Sequence, residues 1–354
     1  MSYREYYPQQ EEEDPYERGF AHKLYEDYDR EPYLQDSMED PEGPEEQYSY
    51  RPKKKKRHPF RAFFKLILVL VLIVGAALLT LHFLAEMPMA EEEGRLDGAC
   101  TILLAGTDES GDRTDTIMLL HINRAEKEIN LLSIPRDTRV NSSYWPQKIN
   151  SAYGMNGCGE EGMEALMDYV SQCVGFRPDG YLLLELDVFI ELVDLFGGVK
   201  FDVPMNMNYE DPSQDLYIHL QEGMQTLDGE EAMGLVRYRY GYADADIGRV
   251  SVQRDFLMAA VDQWAKLRNV VKLPRAMSLL EENSVSDLSG RNMLWFAESL
   301  LLCGTENMYT TTVPYYISGD YVIIDDNEAY LDCINDYFNP YEAEISWDDL
   351  NVAH

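Results

Sequence analysis

The hydrophobic pattern divides the chain sharply. Residues 66–84 (LILVLVLIVGAALLTLHFL) form a run of 19 without an acid or a strong base. At 1.5 Å per residue a helix of that length crosses a hydrocarbon core about 30 Å thick. The run has no polar face, so it does not read as a buried core helix. More than fifty residues precede it, which is too many for the charged region of a cleaved signal peptide. The pattern predicts a single membrane-spanning signal anchor over 66–85.

From about Ala99 the pattern becomes that of alternating strands and helices. Short apolar runs at 100–104, 117–122 and 129–134 read as strands, the last two joined by the polar turn 123–127. Met163, Leu166, Met167 and Val170 have the spacing of an amphipathic helix over 160–174. Beyond them come a strand at 181–186, a helix at 187–196, a Gly197-Gly198 turn and a strand at 199–203. Asp228 is placed to cap a helix over 229–236, and 248–267 reads as a longer helix. Past Pro274 two helices, strands near 309–313 and 321–324, and a final helix from Asn327 follow. Strands interleaved with helices predict a layered α-β-α sandwich around one central mixed sheet, in a single domain over 99–340. Residues 86–98 read as a linker and 341–354 as a C-terminal tail.

Charge adds orientation. The chain carries 64 acidic and 30 basic residues, a net of −34 that argues against binding nucleic acid. Residues 1–50 hold 16 acids, 4 bases and nine tyrosines with almost no Val, Ile or Leu. That composition predicts a disordered tail, because too little apolar surface is present to offset the entropy of ordering. Residues 51–65 hold eight Lys or Arg and no acid, which keeps the N-terminal side of the anchor in the cytoplasm. The large domain then lies outside. Its five cysteines (Cys100, Cys158, Cys173, Cys303, Cys333) leave at least one unpaired, and Cys158 and Cys173 flank one predicted helix where a bridge could form.

The bases of the outer segment are mostly arginine, 13 against 5 lysines from Glu86 onward. Arg offers phosphate a planar fork, whereas Lys offers a point charge. Seven of the 13 fall in three short segments: 106–115 (GTDESGDRTD), 134–139 (IPRDTR), and 237–239 (RYR) with 244–254 (DADIGRVSVQR). Arg249 and Gln253, four apart, share one face of a helix start, where backbone N–H groups also favour an anion. Asp108 and Asp115 lie in a Gly-containing loop, and two carboxylates suit Mg²⁺ that keeps waters and takes phosphate oxygens. Arginines and such a metal together form a clamp for a diphosphate. Taken singly, each segment reads better as surface ion pairs, and only the three together tilt the balance toward phosphate chemistry.

The motifs 102–108 (ILLAGTD), 112–118 (DRTDTIM), 133–139 (SIPRDTR), 148–153 (KINSAY), 195–199 (LFGGV), 227–232 (LDGEEA), 236–239 (VRYR) and 247–249 (IGR) with Gln253 resemble, in order, the LytR-CpsA-Psr family of bacterial cell-wall ligases. The resemblance spans about 99–265, and the anchor topology also fits. It implies transfer of a glycopolymer, such as teichoic acid or capsule, from a polyprenyl diphosphate carrier to peptidoglycan with Mg²⁺. It further implies Asp108 and Asp115 as metal ligands, Arg113, Arg136 and Arg239 with Asp115 as catalytic residues, and Arg139, Arg237, Arg249 and Gln253 among the diphosphate contacts. One departure is visible: the family often carries Arg just before the Gln, and Val252 stands there, with Arg254 after it aimed elsewhere on the helix. Asp115 and Asp137 both qualify as the base. The alternatives are a diphosphate hydrolase using the same site and a non-catalytic envelope protein that binds the lipid carrier.

Overall fold

The computed structural model describes residues 68–69, 71–72, 75–76, 79–88, 94–108, 110–212, 216–242, 246–305 and 308–353. The expected tail (1–50) and basic segment (51–65) lie outside these residues, as does part of 66–85. Every described position from 68 to 84 is helical. Among the described residues no helix is long and apolar enough to cross a membrane.

The sheet grows from the predicted hairpin. β1 (Ala99–Thr107), β2 (Thr114–Asn123) and β3 (Glu128–Ser133) run antiparallel in sequence. β4 (Gly180–Leu184) adds parallel to β1, and β10 (Met308–Thr312) parallel to β3. β9 (Ser284–Ser286) closes the order β10-β3-β2-β1-β4-β9. The expected mixed α/β fold with a central mixed sheet is therefore present. The two-residue side-chain period of a strand sends alternate residues to opposite faces. Leu103, Ala105, Ile117 and Leu119 pack with α1 (Gly159–Val174) and α7 (Glu328–Tyr337) on one face. Cys100, Ile102 and Ile122 pack with α6 (Gly290–Cys303) on the other, where Met277 and Leu280 of α5 (Leu273–Asn283) join them.

The strand expected over 199–203 forms but does not join the central sheet. Among the described residues β5 (Val199–Val203) pairs only with β8 (Gly223–Leu227), and β6 (Met207–Asp211) only with β7 (Leu216–Leu220), a hairpin that the hydrophobic pattern did not predict. β5 buries only its first and last residues fully, so it covers a helical layer on one side and leaves the other to solvent. These ribbons enclose a second core with α2 (Leu186–Phe196), α3 (Gly229–Arg237) and α4 (Asp246–Trp264), including Val199, Ile218, Leu235 and Phe256. Asp228 does cap α3: its carboxylate accepts from Glu231 N, and Glu231 reaches back to Asp228 N.

The domain also extends past its expected bounds. Arg95, in the expected linker, pairs with Asp179 through two nitrogens, with both side chains buried. At the other end Ile345 exchanges hydrogen bonds with Asn335, and Asn351 N donates to Gln172 O. Residues 341–353 are thus part of the domain. All five cysteines are free. Cys158 precedes α1 and Cys173 sits near its end, so fifteen residues of helical rise, about 22 Å, separate them where a disulfide needs Cα atoms within about 7 Å.

Candidate active site

The three arginine segments converge on Asp115. Arg136 Nη1 lies 2.8 Å from Asp115 Oδ1, while Arg239 Nη2 and Arg249 Nη1 lie 2.7 and 3.6 Å from Oδ2. Each comes from a different element: Asp115 from the start of β2, Arg136 from the loop after β3, Arg239 from the loop after α3, and Arg249 from the first turn of α4. Burial would raise the Asp115 pKa, but the Arg136, Arg249 and Arg239 charges outweigh it and hold the carboxyl below its ordinary value. Arg249 is only 1% exposed, the largest fully buried side chain described. A buried guanidinium persists only where carboxylates and hydrogen bonds compensate it.

The register of β1 against β2 slips at Gly106/Thr107, which lifts the next residues out of the ladder. In the resulting loop Asp108 N donates to Arg113 O, Asp108 Oδ1 accepts from Ser110 Oγ at 2.7 Å, and Arg113 is exposed at the rim. Among the described residues no cationic nitrogen pairs with Asp108.

Asp108, Arg113, Asp115, Arg136, Arg237, Arg239, Arg249 and Gln253 all line one cavity of about 1210 Å³. Gln253 is held there by donating to Val236 O at 2.9 Å. Arg139 is not brought in. Its backbone bridges Lys148 and donates to Val322 O, and its guanidinium lies 5.5 Å from the centre of the Tyr321 ring, away from the cavity lining. Arg254 also leaves the site, reaching Thr312 and Asp255, and Val252 is buried in the second core. Asp137 does line the cavity, with Lys148 Nζ at 2.8 Å from Oδ1.

Past Gln253 along α4 the lining of the cavity is different in kind. Phe189, Leu192, Leu257, Ala260, Trp264 and Leu300 line it, supplied by α2, α4 and α6. No local motif marks this apolar end, since each residue belongs to an ordinary amphipathic pattern. Its one signal is the composition of facing helix stripes.

The LytR_cpsA_psr family model matches residues 85–340. The chain belongs to this family. As a LytR_cpsA_psr protein it is 27% identical over 222 residues to regulatory protein MsrR of Staphylococcus aureus, covering 62% of this chain and 65% of that one. It is 32% identical over 195 residues to the polyisoprenyl-teichoic acid–peptidoglycan teichoic acid transferase TagU of Halalkalibacterium halodurans, covering 53% and 60%. The match thus spans slightly less than two thirds of either relative. Among solved structures, Bacillus subtilis TagV superposes with a TM-score of 0.55 at 21% identity, covering 69% of this chain and 95% of that one. TagT bound to LIIa-WTA gives 0.53 at 22% identity, covering 70% and 92%. These likenesses show the fold.

The 148–153 motif of this LytR_cpsA_psr chain has a structural reason of its own. It leads into a helical turn, Ala152–Met155, in which Gly154 packs on the metal-candidate loop; a Cβ there would collide with the Asp112 carbonyl oxygen. Gly154→Ala is expected to destabilise the protein by about 1–3 kcal/mol and to lower turnover by displacing Asp108 and Arg113. Thermal unfolding and activity check this together. Wild-type values for both would mean the loop has room to spare.

Proposed function

We propose that the chain transfers a glycopolymer from a polyprenyl diphosphate carrier to peptidoglycan on the outer face of the cell membrane, anchored by one helix over 66–85 with its N-terminus in the cytoplasm. One observation carries the reading: a single cavity is lined by an arginine cluster and, further along α4, by the apolar side chains of Leu257, Ala260 and Trp264. A diphosphate with a long hydrocarbon tail has the same two halves. The TagU relative is a teichoic acid transferase by name, and the TagT structure is of that protein bound to LIIa-WTA; both support the same substrate class.

In the resting site Asp115 accepts from Arg136 and Arg239 and neighbours Arg249, so the guanidinium groups are already aimed before substrate arrives. When the diphosphate enters, they share their donors between Asp115 and the phosphate oxygens, and charge developing on the leaving phosphate meets fixed positive groups without reorganisation. A hydroxyl of the peptidoglycan sugar forms the new O–P bond at the sugar-linked phosphorus. The bridging P–O bond breaks and polyprenyl phosphate leaves. Asp115, faced by three guanidinium groups, is the poorer proton acceptor of the two. We assign that role to Asp137, which faces Lys148 at 2.8 Å and Arg136 at 3.8 Å on the cavity wall.

Asp108, with no cationic partner among the described residues, and Asp115 would hold Mg²⁺. No group of three His, Cys, Asp or Glu is clustered among the described residues, so waters and substrate oxygens would supply its other ligands. Such an ion would neutralise charge on the diphosphate.

The test incubates the full chain with a polyprenyl-diphosphate oligosaccharide, Mg²⁺ and peptidoglycan fragments, with mass spectrometry following the sugar. Sugar joined to peptidoglycan is expected. Free sugar phosphate alone would make the protein a hydrolase, and intact substrate that co-purifies would make it a carrier-binding protein. Omitting Mg²⁺ is expected to stop transfer.

A further inference from the structure

Beside the apolar end of the main cavity lies a second, smaller cleft of about 350 Å³ whose lining has the opposite charge to the rest of the domain. From Glu86 the chain carries a net −30, yet the cleft is walled by Lys200, Arg268 and Lys272 with the backbone of Gly197 and Gly198, and no carboxylate lines it. Lys200 and Arg268 are exposed, and among the described residues neither has an ion-pair partner. Lys272 Nζ donates to Phe196 O at 3.0 Å. The walls are fastened together: Gln263 exchanges hydrogen bonds with Lys200 N and O at 2.8 Å, and Asn269 Nδ2 donates to the carbonyls of Gln263 and Trp264.

Trp264 lines both the cleft and the main cavity, and its Nε1–H is buried with no acceptor among the described residues. Buried donors of this kind are rare without a partner.

The surroundings indicate which anion. Between Asp262 and Glu281 there are four bases and no acid. Leu267 is 70% exposed and Val271 83%, the latter among the most exposed large apolar residues described, and both stand beside exposed Lys266, Arg268 and Arg275. Lys266 reaches Asp262 at 3.7 Å. Bases interleaved with exposed apolar side chains are the composition of a membrane-interface segment. The chain arriving from the apolar run docks nearby. Arg291 Nε donates to Leu84 O, and His82 Nδ1 lies 2.7 Å from Glu298 Oε1 on α6. Just past α6, Thr305 Oγ1 donates to Asp262 Oδ1 near the end of α4, which leads directly into 266–272.

We propose that this cleft binds the phosphate of an anionic phospholipid, with Leu267 and Val271 seated in the bilayer interface beside it. The contact turns the apolar end of the main cavity toward the membrane, where a lipid-linked molecule would enter. The proposal rests on the anchor reading of 66–85 and needs no glycopolymer.

The test places the full chain in nanodiscs of phosphatidylcholine, alone or with phosphatidylglycerol, and follows backbone hydrogen exchange over 197–200 and 264–275 without substrate. Phosphatidylglycerol is expected to slow exchange in both segments. The slowing should shrink roughly fivefold for each base removed in Lys200→Gln and Arg268→Gln, and persist in Arg268→Lys. Leu267→Gln with Val271→Gln should also reduce it. Exchange over β1–β3 reports that each variant stays folded. Soluble glycerol phosphate added to phosphatidylcholine discs should give no protection; equal protection by it would assign the cleft to a free anion and overturn the membrane site. Discs that take up the chain with no lipid-dependent protection overturn the lipid site alone. Failure of uptake overturns the anchor as well. The transfer assay is a separate readout, so either reading can fail without the other.

Discussion

Arg136→Ala in the full chain is expected to lower transfer between about a hundredfold and a thousandfold, the usual loss when one preorganised donor to a developing charge is removed. Arg136 is the residue to choose because it faces two of the site's carboxylates: Nη1 lies 2.8 Å from Asp115 Oδ1 and Nε 3.8 Å from Asp137 Oδ2. Arg136→Lys should recover little, since a point charge cannot span two partners as a planar fork does. Asp115→Ala should lose activity to a similar extent and should also unfold more easily. It removes the carboxylate that Arg249, 1% exposed, and Arg136 both face. Turnover of Arg136→Ala within threefold of wild type, measured by the sugar-transfer assay, would remove the cluster from the mechanism. Equal unfolding midpoints for Asp115→Ala and wild type would remove it from the stability argument.

The second large effect is on stability and concerns His121, remote from the site. It lies on β2, 3% exposed, with Nδ1 2.7 Å from Thr101 Oγ1. Burial, with a smaller contribution from the Arg95 charge, lowers its pKa from 6.5 to about 4. The folded protein therefore refuses a proton that the unfolded chain accepts. Stability from this group is complete above pH 6.5 and is lost as the pH falls from 6.5 toward 4. At about 1.4 kcal/mol per pH unit the loss comes to roughly 3 kcal/mol. Asp115 acts in a different window. Its folded pKa is depressed, so its contribution is present above the ordinary carboxylate pKa and disappears only as the pH falls through the lower folded value. Urea unfolding of wild type and His121→Asn at pH 7, 6, 5 and 4 separates the two. The curves should converge toward pH 4, and parallel curves would exclude His121 as the cause.

How much was legible in the sequence depends on the range of the interaction. Local patterns held: the β2–β3 hairpin, the α1 stripe of Met163, Leu166, Met167 and Val170, and the Asp228 cap each depend on residues within a few positions of one another. The β6–β7 hairpin escapes the pattern although Ile218 and Leu220 alternate correctly, because its polar outer face dilutes the signal over only five residues per strand. The Arg95–Asp179 pair joins positions 84 apart, and nothing near either residue announces the other.

The arginines show the same division most clearly. Sequence alone determined that this acidic chain concentrates guanidinium groups in three segments at element ends, and that its motifs carry the family. Tertiary structure decided which of them meet. Arg249 and Arg139 read alike as sequence, yet Arg249 is buried against Asp115 from α4, whereas Arg139 is turned onto Tyr321 because its backbone pairs with Lys148 and Val322. The same holds for Lys200 and Arg268, which share a cleft only because Gln263 ties β5 to α4. Periodicity sets which face of its own element a side chain occupies. What that face meets is set by how elements far apart in the chain cross, and the sheet and helical layers fix that crossing.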